Sequence, residues 1–191
     1  KASALFLERL GWKVGVFERF EEVYPLPRAV CIDHELYRVL HAAGLGDVAN
    51  RVCNDAPTYR WFNAEWRELL AIDWAAGSVS GGSEVNFIHQ PSFEWAMDER
   101  IKASDRIALH FNAEATAIRQ DADSATVTIR DTKTGATRDY TAHYLIGIDG
   151  ANSFVRESLG IGRTDLGFEA DWLVIDFALN GGLTARDLGI P

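Results

Sequence analysis

The feature that most restricts this chain is its opening stretch, ASALFLERLGWKVGVFER, Ala2 to Arg19. Ala4, Leu5, Leu7 and Leu10 recur at helical spacing, and Gly11 follows as a C-terminal stop. Val14, Val16 and Phe17 then form a short strand that ends at Glu18. A helix running straight into a strand is the second half of a βαβ unit, so the expected fold is α/β with a parallel sheet. A carboxylate closing the second strand of such a unit is where a dinucleotide's ribose hydroxyls are gripped. The alternative is an ordinary charged residue at a strand end, and no glycine-rich turn in the chain decides between them.

The remaining segments are read from pattern and punctuation. YPLPRAVCI (24–32) is a proline-marked loop leading to Asp33, an N-cap for a helix with Leu36, Val39, Leu40 and Ala43 on one face and Gly44 as its stop. TYRWFNAEWRELLAIDW (58–74) alternates around NAE and predicts a hairpin. Gly77–Gly82 is a loop, and the stretch from Gln90 to Ala103 predicts a helix with Pro91 in its first turn. Strand-like runs follow at 106–111, 114–120, 125–131, 137–143 and 144–148, with a turn at TKTG, and another at 170–179. The mixture is α/β with an antiparallel insertion.

Beyond Glu18, three places carry residues suited to a phosphate-bearing ligand. In YLIGIDGANSFVRESLGI (144–161) an apolar run stops at Asp149-Gly150, and a helix starts near Asn152-Ser153 with Arg156 one turn on. Gly150 lets backbone approach a ligand, the helix start offers free N–H groups, and Arg156 adds a cation. Asp149 either accepts from ligand hydroxyls or caps the helix; both readings stand. Arg28 lies in a loop stiffened by two prolines and suits a phosphate, or a surface ion pair. Gln90 is a helix cap or a ligand contact, and His89 beside it reads as a packed histidine. The six tryptophans are assigned to core and hairpin surface.

Composition removes several classes. Of 191 residues, 47% are hydrophobic and 25% charged, as in a globular domain. A net charge of −9 argues against nucleic acid or an anionic membrane as partner. No apolar stretch approaches the ~20 residues that span a bilayer. Two cysteines, Cys31 and Cys53, and five histidines without ligand spacing predict no disulfide framework and no metal, with the cytoplasm as compartment.

Taken in order, VGVFERFEEVYPLPRAVCIDHELYRVLHAAGL (14–45), NFIHQPSFEWAM (86–97) and YLIGIDGANSFVRESLGI (144–161) resemble the FAD-dependent aromatic hydroxylases. These are single-component flavoprotein monooxygenases of the p-hydroxybenzoate hydroxylase type, and the wording YPLPRAV and HQP is most similar to the hydroxyphenylpropionate hydroxylase branch. The likeness runs over essentially the whole chain. Asp149, Gly150, Ser153, Val155 and Arg156 fall on the family pattern, whereas Ile148 stands where alanine is frequent.

The resemblance implies a Rossmann-like FAD-binding domain with part of an antiparallel β substrate domain. Its expected divisions are 1–60 and 88–164 for the FAD-binding domain, 61–87 for a hairpin reaching toward the substrate domain, and 165–191 for the start of the substrate-domain sheet. It implies that Glu18 holds the adenosine ribose with Arg19 beside it, that Arg28 touches the FAD phosphate–ribityl region and helps admit the nicotinamide donor, and that Gln90 bonds the ribityl chain. Ala115 would meet the adenine through its backbone, and Asp149, Gly150 and Arg156 would lie near the pyrophosphate.

The implied activity is hydroxylation of a phenolic ring with NADH or NADPH and dioxygen. The flavin carries the oxygen chemistry, and no catalytic acid or base is assigned within the chain. A flavoprotein halogenase, epoxidase or tailoring oxygenase, or a non-catalytic remnant of the fold, are the alternatives. The chain opens on Lys1 within helical pattern and closes just after a strand-like run, so it is read as a fragment, expected to be inactive alone. A homo-oligomer is compatible with the pattern.

Overall fold

The structure is a computed structural model that describes residues 1–24, 29–75, 77–171, 173, 181, 182, 184 and 187. It divides into two compact units, Lys1–Leu145 and Ile146–Pro191.

In the first unit, α1 (Ala2–Arg9) ends where Gly11 turns back at φ +88°, and β1 (Val14–Phe17) follows. β1 pairs in parallel with β7 (Ile107–His110), from Val14 opposite Ile107 to Phe17 opposite His110. Parallel strands need a long crossover, and everything between residues 18 and 106 forms it. The last part of that crossover is α4 (Gln90–Lys102), whose Phe93, Ala96, Met97 and Ile101 share a core with Ala4 and Leu5 of α1. Lys1 Nζ lies 2.9 Å from Glu94 Oε2 and 2.6 Å from Asp98 Oδ1. The ammonium thereby neutralises a carboxylate that α4 buries.

The same core continues under α2 (His34–Ala42) and α3 (Gly46–Val52), which bury Leu40, Leu45, Val48 and Ala49. Asp33 caps α2, its Oδ1 accepting from the Leu36 amide at 2.8 Å. These helices pack with Ile32 and Ile88 of an antiparallel sheet ordered β2 (Cys31–Asp33), β6 (Val85–Ile88), β3 (Cys53–Asp55). The hairpin is present as β4 (Thr58–Phe62) and β5 (Glu68–Asp73). Asn63 Oδ1 accepts from the Glu65 and Arg67 amides across its turn.

A second antiparallel sheet is ordered β10 (Thr137–Ala142), β9 (Ala125–Asp131), β8 (Ala113–Gln120). Its small core of Ala113, Val127 and Ile129 takes in Phe17. The Phe17 ring stacks on His110 at 5.1 Å and tilts against Tyr140 at 4.7 Å, so one side chain joins the parallel pair to this sheet.

Three expectations are corrected. Tyr144–Ile148 is not a strand: an apolar run becomes one only through ladder partners, and none pairs with it among the described residues. Leu36 and Val39 are each 38% exposed and Leu10 61%, because the helices turn narrower stripes to the core than the periodicity suggests. The segment 24–32 is not all loop, since Cys31–Asp33 pairs with β6. The run at 170–179 lies almost wholly outside the described residues.

The second unit contains α5 (Phe154–Ser158). Gly147 packs beneath it: a Cβ there would meet Val155 Cβ and Cγ1 at 2.7 Å.

Candidate functional site

Glu18 leaves β1 at its carboxyl end, the side on which parallel α/β sheets bind ligands. Its amide donates to His110 O at 2.8 Å, and its carbonyl accepts from the Ala113 amide at 2.8 Å. The residue therefore sits where β1, the end of β7 and the start of β8 meet. Glu18 Oε1 accepts from the Phe20 amide at 3.0 Å, which turns the chain out of the strand. Oε2 has no partner among the described residues, so one carboxylate oxygen remains to accept from a ligand hydroxyl. The Arg19 guanidinium lies 5.0 Å from the Phe20 ring centroid, beside that carboxylate in sequence and exposed.

Ala115 lies two residues into β8, the edge strand of its sheet. The ladder with β9 is interrupted between Ala115 and Ala117 by a bulge, and Thr116 Oγ1 donates to Thr128 O at 3.2 Å. An edge strand leaves every second backbone N–H and C=O outside the ladder, and a bulge re-aims the groups around it. Within the first unit Glu18 and Arg19 directly follow β1, and the start of β8 lies beside Glu18, through the Glu18 carbonyl bonded to the amide of Ala113, two residues ahead of Ala115.

Gln90 is placed differently. It opens α4 directly after β6, and its Oε1 accepts from the Ala29 amide at 2.9 Å, so it acts neither as a cap nor as an isolated group. The N-cap residue is His89, whose Nδ1 lies 2.8 Å from Ser92 Oγ. Arg28 is outside the described residues; the Gln90 bond grips the residue next to it.

In the second unit Asp149 and Arg156 are committed to their own turn. Asp149 Oδ1 accepts from the Ser153 hydroxyl and Oδ2 from the Val155 amide at 3.0 Å. Ser153 caps α5 by accepting from the Arg156 amide at 3.0 Å. Arg156 Nη1 donates to Ala151 O at 2.7 Å, and Arg163 Nη1 reaches the same carbonyl at 3.0 Å. Desolvation is the largest single influence and opposes charge on Asp149, but hydrogen bonds from the Ser153 hydroxyl and the Val155, Asp149 and Phe154 amides together outweigh it and hold the carboxyl below its usual range. Both oxygens being engaged, Asp149 shapes the turn. Gly150 follows at φ +83°, a conformation glycine adopts freely, with open space where a Cβ would stand.

A helix-to-strand start, a parallel pair and a carboxylate at the strand end define a dinucleotide-binding α/β unit. The FAD binding domain family matches residues 2–184, and the chain belongs to that family. Among curated proteins it is 31% identical over 180 residues to the "Probable NADH-specific resorcinol 4-hydroxylase" of Rhodococcus jostii (strain RHA1), covering 94% of this chain and 34% of that protein. It is 29% identical over 176 residues to the 3-(3-hydroxy-phenyl)propionate/3-hydroxycinnamic acid hydroxylase of Paraburkholderia xenovorans (strain LB400), covering 91% of this chain and 28% of that one. The chain thus spans about a third of these relatives' length. Among solved structures, p-nitrophenol 4-monooxygenase PnpA from Pseudomonas putida DLL-E4 superposes with a TM-score of 0.73 at 23% identity, over 83% of this chain and 40% of that one. That likeness establishes the fold. Among the described residues no helix is long and apolar enough to cross a membrane.

Proposed function

We propose that this chain is the FAD-binding part of a flavoprotein monooxygenase that hydroxylates a small phenolic substrate with NADH or NADPH and dioxygen. The observation that carries the reading is the match along 91–94% of the chain to two proteins named as hydroxylases of phenolic compounds. The geometry supports the cofactor half of it. Glu18 Oε2 would accept from a ribose hydroxyl, Arg19 would flank the adenosine, and unladdered backbone near Ala115 would face the adenine. Gln90 and the loop of Arg28 would serve the ribityl–phosphate region. Asp149 and Arg156 would act by shaping the turn that presents Gly150. When bound, the flavin supplies the redox and oxygen chemistry; the protein supplies orientation and exclusion of water.

The test is the full-length gene product. The purified protein should carry FAD, oxidise NADH or NADPH faster when resorcinol or 3-hydroxyphenylpropionate is added, and yield a product heavier by one oxygen atom. Donor oxidation that produces only hydrogen peroxide with every phenol tried would overturn the hydroxylase assignment, and a protein without flavin would overturn the cofactor assignment.

A further inference from the structure

We infer that Asn112 is a positioning residue for the Glu18 carboxylate, acting through its left-handed backbone. The inference rests on the FAD reading above and extends it to a residue outside the sequence motifs. Among the described residues only Trp66 and Asn112 combine a side chain with positive φ, at 58° and 55°. Trp66 sits at the β4–β5 hairpin tip, where such a turn is ordinary. Asn112 sits between β7 and β8, and its two backbone groups point to different elements. Its amide donates to Phe20 O and its carbonyl accepts from the Thr132 amide, both at 2.8 Å.

These bonds close a ring around Glu18. The Phe20 amide is held by Glu18 Oε1, and the Phe20 carbonyl by the Asn112 amide. The next residue, Ala113, donates its amide to the Glu18 carbonyl. The ring sets which carboxylate oxygen is used inside the protein and which is left for a ligand. It is anchored outside by Thr132, just past β9, and by Ala113, 7% exposed in the core of the second sheet. A residue that disfavours positive φ would swing the Asn112 amide off Phe20 and release the turn that aims Glu18. Asn tolerates this conformation because its short polar side chain adapts locally, and Gly because it lacks a Cβ.

The test is a thermodynamic cycle on the full-length apoprotein, reading FAD affinity by titration calorimetry. Asn112→Ala should weaken FAD roughly five- to thirtyfold, the range expected from the cost of the left-handed backbone. Asn112→Gly should stay within about threefold of the parent, because glycine adopts positive φ freely. In a Glu18→Ala background, Asn112→Ala should add less than about twofold, since residues acting through one another are non-additive. Should Asn112→Ala not fold, Asn112→Ser is read in the same cycle with the same expectation. Unchanged FAD affinity in the alanine or serine variant, no rescue by glycine, or full additivity with Glu18→Ala would overturn the inference and leave the FAD reading standing. A parent protein that does not bind FAD would overturn both.

Discussion

Gln90 Oε1 accepts a 2.9 Å hydrogen bond from the Ala29 amide, tying the first residue of α4 to a loop 61 positions earlier. The bond links the entry of a core-packed helix to the segment that carries Arg28. A glutamine at a helix start can also end its work at the helix; here the acceptor is turned outward to another chain segment.

Gln90→Leu therefore removes the acceptor and exposes the Ala29 amide to exchange. The expected loss is about 1 kcal/mol of local protection, the net worth of one hydrogen bond. Gln90→Glu keeps an acceptor at the same reach and should retain most of that protection. Amide exchange at Ala29 by mass spectrometry or NMR distinguishes the three proteins; identical rates would show that the bond does not form in solution.

Asp149→Ala should loosen the turn at residues 149–155 and reduce FAD retention through gel filtration of the full-length protein. Two hydrogen bonds are lost, each worth about 0.5–1.5 kcal/mol and at the low end here because the group is exposed. Asp165→Ala is the control, since among the described residues Asp165 Oδ1 accepts from the nearby Gly167 amide alone. Equal retention in the two variants would remove Asp149 from the cofactor site.

Acid should open the same turn. The Asp149 carboxyl is held below its usual range in the folded protein, so its contribution is complete above the unfolded value of about 3.9. That contribution is lost as pH falls through the folded value. Amide exchange of Val155 and Arg156, corrected for intrinsic rates, should therefore accelerate below about pH 4. Asp149→Asn should flatten that dependence; the same pH profile in both proteins would assign the acid response to another group.

Gly147→Ala is expected to be costly although the glycine has ordinary φ. Its new Cβ would fall 2.7 Å from two Val155 atoms, and overpacking of this kind costs about 1–3 kcal/mol. The double variant with Val155→Ala should recover much of the loss. Thermal unfolding of the parent, the single and the double variant decides it: an undiminished midpoint in Gly147→Ala would mean that α5 does not rest on the segment carrying Gly147.

Signals confined to a few neighbouring residues are legible in the sequence alone. Helical spacing followed by Gly11 placed α1, alternation about NAE placed the hairpin, and Asp33 announced its helix, because spacing, caps and turn residues act within one or two turns of chain. Glu18 was legible for the same reason, as a carboxylate at the end of a short apolar run. Tertiary structure decided what depends on distant partners. Tyr144–Ile148 has strand composition but no ladder, whereas Cys31–Asp33, written like a loop, became a strand because β6 lies beside it. Leu40 is buried and Val39 half-exposed on the same helix because only the packed neighbours define which arc faces the core. Asp149 has both oxygens occupied, Gln90 reaches Ala29, and Asn112 takes φ +55°, and none of these follows from residue type. A hydrogen bond between segments, or a backbone turned left-handed to serve two of them, is set by the positions of its partners; those positions exist only in the folded chain.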